Sequence, residues 1–263
     1  MRKTAIIVPC YNEAERLDSA AFLEAAGRSG DLSFIFVDDG STDSTLEKLE
    51  LLKSADPEHI QVLSLERNSG KAEAVRRGFL RALDTDFVNI GYWDADLATP
   101  LAAIFKFCDI LDTTDSRLVM GSRVRLLGRR IKRKFFRHYL GRLFATFASL
   151  VLRIPVYDTQ CGAKVFKKSD SLYSAFAAPF KVKWTFDVEL LARLLTVERA
   201  GRDAHPEEFW LEYPLEEWAD IKGSKTRAGD FVRGGFELLK IFSLLHCPLL
   251  KGRYSALLTE KKR

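Results

Sequence analysis

The chain has no pair of cysteines in C-x-x-C spacing. Its four, Cys10, Cys108, Cys161 and Cys247, are scattered along 263 residues. That excludes the common zinc patterns and offers no disulfide framework, so a reducing, cytoplasmic setting is expected. No G-x-G-x-x-G follows the first apolar run, which removes the dinucleotide fingerprint. "RNSGKAEA" (67–74) approaches the phosphate-binding P-loop. It fails because Leu65 stands where that pattern needs Gly, and Ala72 where it needs Ser or Thr. Long hydrophobic runs are also missing. The longest, "LFATFASLVL" (143–152), is far short of the ~20 residues that span a bilayer. The opening "MRKTAIIVP" enters a strand at once and shows no signal-peptide hydrophobic region. No repeat, low-complexity stretch or nucleic-acid-reading module is present, so nucleic acid is not an expected partner.

Charge is unevenly spread. The total is +5, yet Gly121 to Asp170 holds thirteen Lys/Arg against two Asp/Glu, a net of +11, which leaves −6 for the rest. A basic segment on an acidic body points to an anionic partner, either a phosphate or a membrane surface.

Short apolar runs alternate with helical periodicity through the first half. "TAIIVPC" (4–10), "LSFIFVDDG" (32–40), "IQVLSL" (60–65) and "DFVNIGYWD" (86–94) read as buried strands. Between them, 13–30, 41–55 and 70–83 read as helices, with Ser41 or Thr42 expected to cap the second. Alternation of this kind means βαβ units and a mostly parallel sheet. Ligands bind such sheets beyond the carboxyl ends of the strands. All four ends here are polar: "CYNE", "DDGSTD", "RNSGK" and "DAD". Later, "RLVMGSRV" (117–124) reads as a strand and 129–153 as one long helix with a basic start. A helix is expected over 185–200, an edge strand broken by Pro214 over 207–218, and amphipathic helix from 229 onward.

Two carboxylates one residue apart, Asp94 and Asp96, end the fourth strand. They repel unless something positive sits between them. A divalent cation bridging a diphosphate would do so, since Mg²⁺ or Mn²⁺ is commonly held by one or two carboxylates plus phosphate oxygens. A solvated turn is the plain alternative. Asp38 and Asp39 have the same two readings, a ligand contact or a turn. Gly70 and Lys71 are either a simple helix start or a helix start beside an anion.

"IIVPCYNEAERL", "VDDGSTDST", "RNSGKAEAVRRG" and "WDADLATP" together resemble the family 2 glycosyltransferases of the GT-A fold. "GSR", "DTQCGAKVF", "WTFDVELL" and the W-x₆-K of "WADIKGSK" narrow the resemblance to the dolichyl/polyprenyl-phosphate branch, nearer the glucosyl than the mannosyl type. It covers residues 3 to 228. It implies a GT-A domain over 1–228, an α/β sheet flanked by helices, and an amphipathic C-terminal appendage over 229–263 with membrane contact. The implied activity is inverting transfer of a hexose, glucose ahead of mannose, from a nucleotide-diphosphate sugar, UDP ahead of GDP, to a polyprenyl phosphate.

The resemblance implies roles residue by residue. Pro9, Tyr11 and Glu13 would line the nucleotide, with Asp39 and Lys71 near the base. Asp94 would lie by the ribose and diphosphate, and Asp96 would ligate Mg²⁺ or Mn²⁺. Arg123 and Arg137 would hold the acceptor phosphate and Lys225 the donor diphosphate. Asp187 falls where relatives with hydroxyl acceptors keep a base; a structural or positioning role is expected here. Two departures stand out: Ala98 replaces a Gln that helps hold the metal in the mannosyl branch, and Gly141 replaces a Ser beside the acceptor. The work would be done on the cytoplasmic face of a membrane, by surface adsorption. The alternatives are a family 2 enzyme with a saccharide hydroxyl acceptor, and a non-catalytic module that binds membranes or polyanions.

Overall fold

In chain order the elements are β1 (Thr4–Cys10), α1 (Ser19–Gly27), β2 (Leu32–Asp38), α2 (Thr45–Ala55), β3 (Ile60–Ser64), α3 (Lys71–Leu83), β4 (Asn89–Trp93), α4 (Ala102–Thr113) and β5 (Leu118–Ser122). Next come β6 (Arg130–Lys132), α5 (Phe135–Leu152), β7 (Ala163–Lys167), α6 (Asp170–Ala177) and α7 (Phe186–Ala200). A 3₁₀ turn (Pro206–Phe209), β8 (Trp210–Pro214), β9 (Glu217–Ala219), α8 (Ala228–His246) and α9 (Pro248–Thr259) complete the chain. These come from a computed structural model that describes residues 1–132, 135–201, 205–219 and 228–259, without the side chains of 132–139, 228, 230, 231, 249 and 259. Two compact units emerge: Met1–Gly121 with Gly162–Lys168, and Ser122–Cys161 with Ser169–Arg263.

The first unit is an α/β sheet with strand order β3-β2-β1-β4-β7-β5. The β3-β2-β1-β4 block is parallel, while β7 runs antiparallel to both β4 and β5. Parallel strands covered on both faces read as unbroken apolar runs, and β1, β2 and β4 are buried almost throughout. Phe22 of α1 stands edge-on to Phe34 and Phe36, at 5.2 and 4.9 Å. Phe107 of α4 meets Trp93 at 5.5 Å. Burying such rings contributes roughly 1.5–3 kcal/mol each.

Register sets the rim where ligands are expected. Cys10 lies opposite Asp38, and Asp38 opposite Ser64. The Asp39 amide donates to the Cys10 carbonyl and the Leu65 amide to the Asp38 carbonyl, both at 2.8 Å. The chain therefore leaves β1, β2 and β3 at one level.

The second unit packs α5 through α9 around α7, which is buried from Phe186 to Leu195. Its core tolerates an ion pair because every charge is answered. Arg193 and Glu189 are both 0% exposed and meet at 2.7 Å. Arg193 also donates to the carbonyls of Ala175, Ala178 and Pro179, while Glu189 accepts the Lys181 and Val182 amides. Removing either partner would strand a buried charge.

Several expectations need correction. The helix expected over 129–153 starts only at Phe135. Before it, Ile131 points inward between two basic residues, a period-two pattern that suits β6, which pairs with β9. The first helix begins at Ser19 rather than at residue 13, capped by the Asp18 side chain on the Ala21 amide. Neither Ser41 nor Thr42 caps α2; the Asp43 carboxylate accepts the Thr45 amide instead. The C-terminal helix divides at Pro248, which has no amide to continue α8 and suits the first position of α9. Helices α4 and α6 and strand β7 had no counterpart in the sequence reading.

Candidate active site

At the rim of the first unit, Asp94 follows β4 directly. Its amide donates to the Gly162 carbonyl at 3.0 Å, and its carboxylate accepts Lys71 Nζ at 2.5 Å. Lys71 opens α3, immediately after Gly70, whose φ of 94° suits glycine. Both oxygens of Asp39 accept from the same turn, the Ser69 amide at 2.7 Å and the Gly70 amide at 2.8 Å. Burial pushes the Asp39 carboxyl above its usual range, against the pull of those two donors. A Cβ on Gly40 would come within 2.6 Å of the Arg67 backbone. Asp39 and Gly40 thus lock the turn that presents Lys71.

Asp96 sits one residue on, in a loop held at both ends. Trp93 Nε1 donates to the Thr99 carbonyl at 2.8 Å, and Asp96 accepts the Ala98 amide at 3.1 Å. Ala95, between the two acids, is buried, while both acids are partly exposed. Burial, and secondarily the Asp94 charge, raise the Asp96 carboxyl above its usual range. The Lys71 and Arg16 charges pull the other way without cancelling that rise. Among the described residues no group of three or more His, Cys, Asp or Glu could hold a metal alone. A pair of carboxylates completed by ligand oxygens is what Mg²⁺ or Mn²⁺ accepts, and the residues fit such an ion.

The loop after β1 is fastened to the loop after β2. Asn12, at φ 50°, accepts the Thr42 amide at 2.9 Å and donates its own amide to Ser41 Oγ at 3.0 Å. The Glu13 amide donates to Thr45 Oγ1 at 2.8 Å, and its carboxylate accepts Arg16 at 2.5 Å. Pro9, Tyr11 and Glu13 follow one another at this edge, each partly exposed.

The second unit holds an arginine pocket. Arg123 Nε and Nη2 donate to the two Asp158 oxygens at 2.7 and 2.8 Å, and its amide to the same carboxylate at 3.0 Å. The guanidinium lies over Trp218 at 5.4 Å. Arg142 of α5 stacks on Tyr157 at 4.3 Å. Glu212 of β8 accepts the amides of Tyr157 and Asp158, both at 2.7 Å. The Arg137 side chain and all of Lys225 lie outside the described residues. Asp187 is buried in the first turn of α7, where the helix dipole favours a carboxylate.

Five residues were not assigned roles from sequence: Gly162, Asp158, Arg142, Glu212 and Asn12. Asp158 and Gly162 lay inside "DTQCGAKVF", and Asn12 inside "CYNE", so the signal was present in the motifs. Glu212 had none, because its partners are more than fifty residues away in the chain.

Nearby on the second unit, α5 and α8 form an apolar groove of about 490 Å³. Phe147, Val151, Val232, Phe236, Leu239 and Phe242 line it. No described helix is long and apolar enough to cross a membrane.

Among solved structures, glucosyl-3-phosphoglycerate synthase from Mycobacterium tuberculosis, crystallised with Mn²⁺, UDP and phosphoglyceric acid, superposes with a TM-score of 0.64. It is 19% identical and covers 94% of this chain and 79% of its own. The likeness establishes a shared GT-A fold. Dolichyl-phosphate beta-glucosyltransferase of Dictyostelium discoideum is 34% identical over 252 residues, 89% of this chain and 74% of its own length. The Drosophila melanogaster enzyme of the same name is 34% identical over 259 residues, 90% of this chain and 74% of its own. The family model named glycosyl transferase family 2 matches residues 5–171, a span running from the first strand past Asp94, Arg123 and Gly162. The chain is a member of glycosyl transferase family 2.

Proposed function

We propose that this glycosyltransferase moves one glucose residue from UDP-glucose to a polyprenyl phosphate of the dolichyl type, with inversion. The observation that carries the reading is the identity to relatives bearing that one name along nearly the whole chain. The geometry supports it with an acidic site in one unit and an arginine site in the other.

A phosphate monoester oxygen attacks the anomeric carbon. The bond from that carbon to the UDP oxygen breaks, and UDP leaves with the bonding pair. At neutral pH the attacking phosphate is already an anion, its second pKa lying near ~6, so it needs little help from a base. The demand falls on bringing two anions together and on stabilising the departing diphosphate.

Asp96 would hold Mg²⁺ or Mn²⁺, which supplies Lewis-acid neutralisation of the leaving group. Asp94 and Lys71 would orient the diphosphate and ribose. Asp39 would serve the nucleotide end by fixing the Ser69–Gly70 turn, with Pro9, Tyr11 and Glu13 lining the base and ribose. Arg123 and Arg137 would receive the acceptor phosphate through charge-assisted contacts, and Lys225 the donor diphosphate. The α5/α8 groove, the C-terminal appendage over 229–263 and the basic stretch before α5 would bring the enzyme to the cytoplasmic face of a membrane.

A panel of labelled UDP- and GDP-sugars against polyprenyl phosphate, polyprenol and soluble saccharides tests the reading. Labelled lipid is expected from UDP-glucose and polyprenyl phosphate, with none from polyprenol. Label appearing only in a saccharide would replace this reading with a hydroxyl-acceptor enzyme.

A further inference from the structure

We propose that Glu212 is the positioning residue of the arginine pocket: its single carboxylate fixes Tyr157 and Asp158, and through them Arg142 and Arg123, around the site of a phosphate. The inference rests on the reading that Arg123 meets the acceptor phosphate.

The two Glu212 oxygens take two consecutive amides, Tyr157 and Asp158, at the same 2.7 Å. Convergence of successive amides on one carboxylate sets the direction in which both side chains leave the backbone. Tyr157 then carries Arg142 on its ring, and Asp158 grips Arg123 at three donors. Both arginines, long and otherwise rotamer-rich, have their geometry set before a ligand arrives. Asp158 offsets part of the Arg123 charge, so its contribution is orientation rather than attraction.

The next residue points the same way. Thr159 is 1% exposed, and its hydroxyl has no hydrogen-bond partner among the described residues. It lines, with Arg123, Arg142, Tyr157 and Asp158, a narrow cavity of about 20 Å³. That is room for one water-sized group. A phosphate oxygen is of that size, and it would accept from the Thr159 hydroxyl. Three consecutive residues, 157 to 159, therefore serve one pocket, and Glu212 holds the first two.

Glu212→Gln keeps the shape of the side chain and loses one anionic acceptor; Glu212→Ala loses both. With UDP-glucose saturating, the acceptor KM should rise on the order of 10- to 100-fold, the range seen when a group that orients a ligand-binding side chain is removed. The donor KM should stay within about twofold, and kcat should change far less than the acceptor KM. In an Arg123→Ala background, Glu212→Gln should add less than it costs alone, because part of its effect runs through that arginine and the rest through Arg142.

Binding of a short isoprenyl monophosphate to the purified enzyme, followed by calorimetry, gives a readout independent of turnover and should weaken in parallel. Equal damage to donor and acceptor constants, a full additional loss in the Arg123→Ala background, or failure of both variants to fold would make Glu212 a purely structural residue and overturn the proposal. If Arg123→Ala itself leaves the acceptor KM and the monophosphate affinity unchanged, it is the acceptor reading that falls. If Arg123→Ala weakens both and Glu212→Gln neither, the positioning role alone falls.

Discussion

The Asp94 carboxylate occupies the space that a Cβ on Gly162 would need. The same two residues are joined by the Asp94 amide on the Gly162 carbonyl at 3.0 Å. Position 162 is therefore a glycine because of close approach. Gly162→Ala should displace Asp94, raise the donor KM and cut turnover at least tenfold. Overpacking of this kind costs about 1–3 kcal/mol of stability. Donor titration and a melting curve read the two effects, and an alanine variant with wild-type donor affinity would contradict the close approach.

Asp96→Asn should abolish metal-dependent turnover without unfolding the protein. The raised carboxyl decides the sign. A group whose folded pKa lies above its unfolded value contributes stability that is complete below the unfolded pKa and lost as pH rises through the folded one. Above the raised pKa, ionised Asp96 is thus a net cost to the fold. The Asn variant should melt no lower than wild type, and Mn²⁺ should raise the melting temperature of wild type only. Full activity in excess EDTA would refute the metal assignment.

Arg123→Ala should lose roughly 2–5 kcal/mol of acceptor interaction if the charge pair is desolvated, with the donor unaffected. Asp158 loses the guanidinium in that variant but keeps the amide of residue 123, and Asp158→Asn in wild type should reproduce part of the defect. Steady-state kinetics with each substrate varied separate the two ends. Equal damage to the donor would move Arg123 to the diphosphate.

The groove between α5 and α8 should dock on lipid. Phe236 and Leu239, 70% and 63% exposed, changed together to Asp should weaken binding to anionic liposomes in high salt, where the apolar share remains. At low salt Lys and Arg supply roughly 1 kcal/mol each near the surface, so the variant should still bind there. Wild-type protein that stays free of anionic vesicles at low salt would point to a soluble acceptor or a recruiting partner.

The first unit was largely legible because buried parallel strands announce themselves as apolar runs with polar ends. Strand β7 was not, since "AKVFK" carries Lys164, which is buried at 0% exposure with its ammonium 5.1 Å from the Tyr92 ring centre. A charge inside a strand hides the strand. β6 was misread because three residues are too few to override the helical pattern that follows. In the site, the acids and Arg123 were visible as motif residues, while the clasp of Glu212 on Tyr157 and Asp158 depends on long-range folding that no local pattern records.

The Lys71–Asp94 contact has a further consequence for handling the enzyme. The pair is more than a third exposed on both sides, so it is worth at most about 1 kcal/mol and gives way readily to a diphosphate. Between turnovers Lys71 acts as a resident counter-ion that eases, without removing, the repulsion between Asp94 and Asp96. Chelation should silence the molecule rather than melt it, and restoring the metal should restore turnover without a refolding lag.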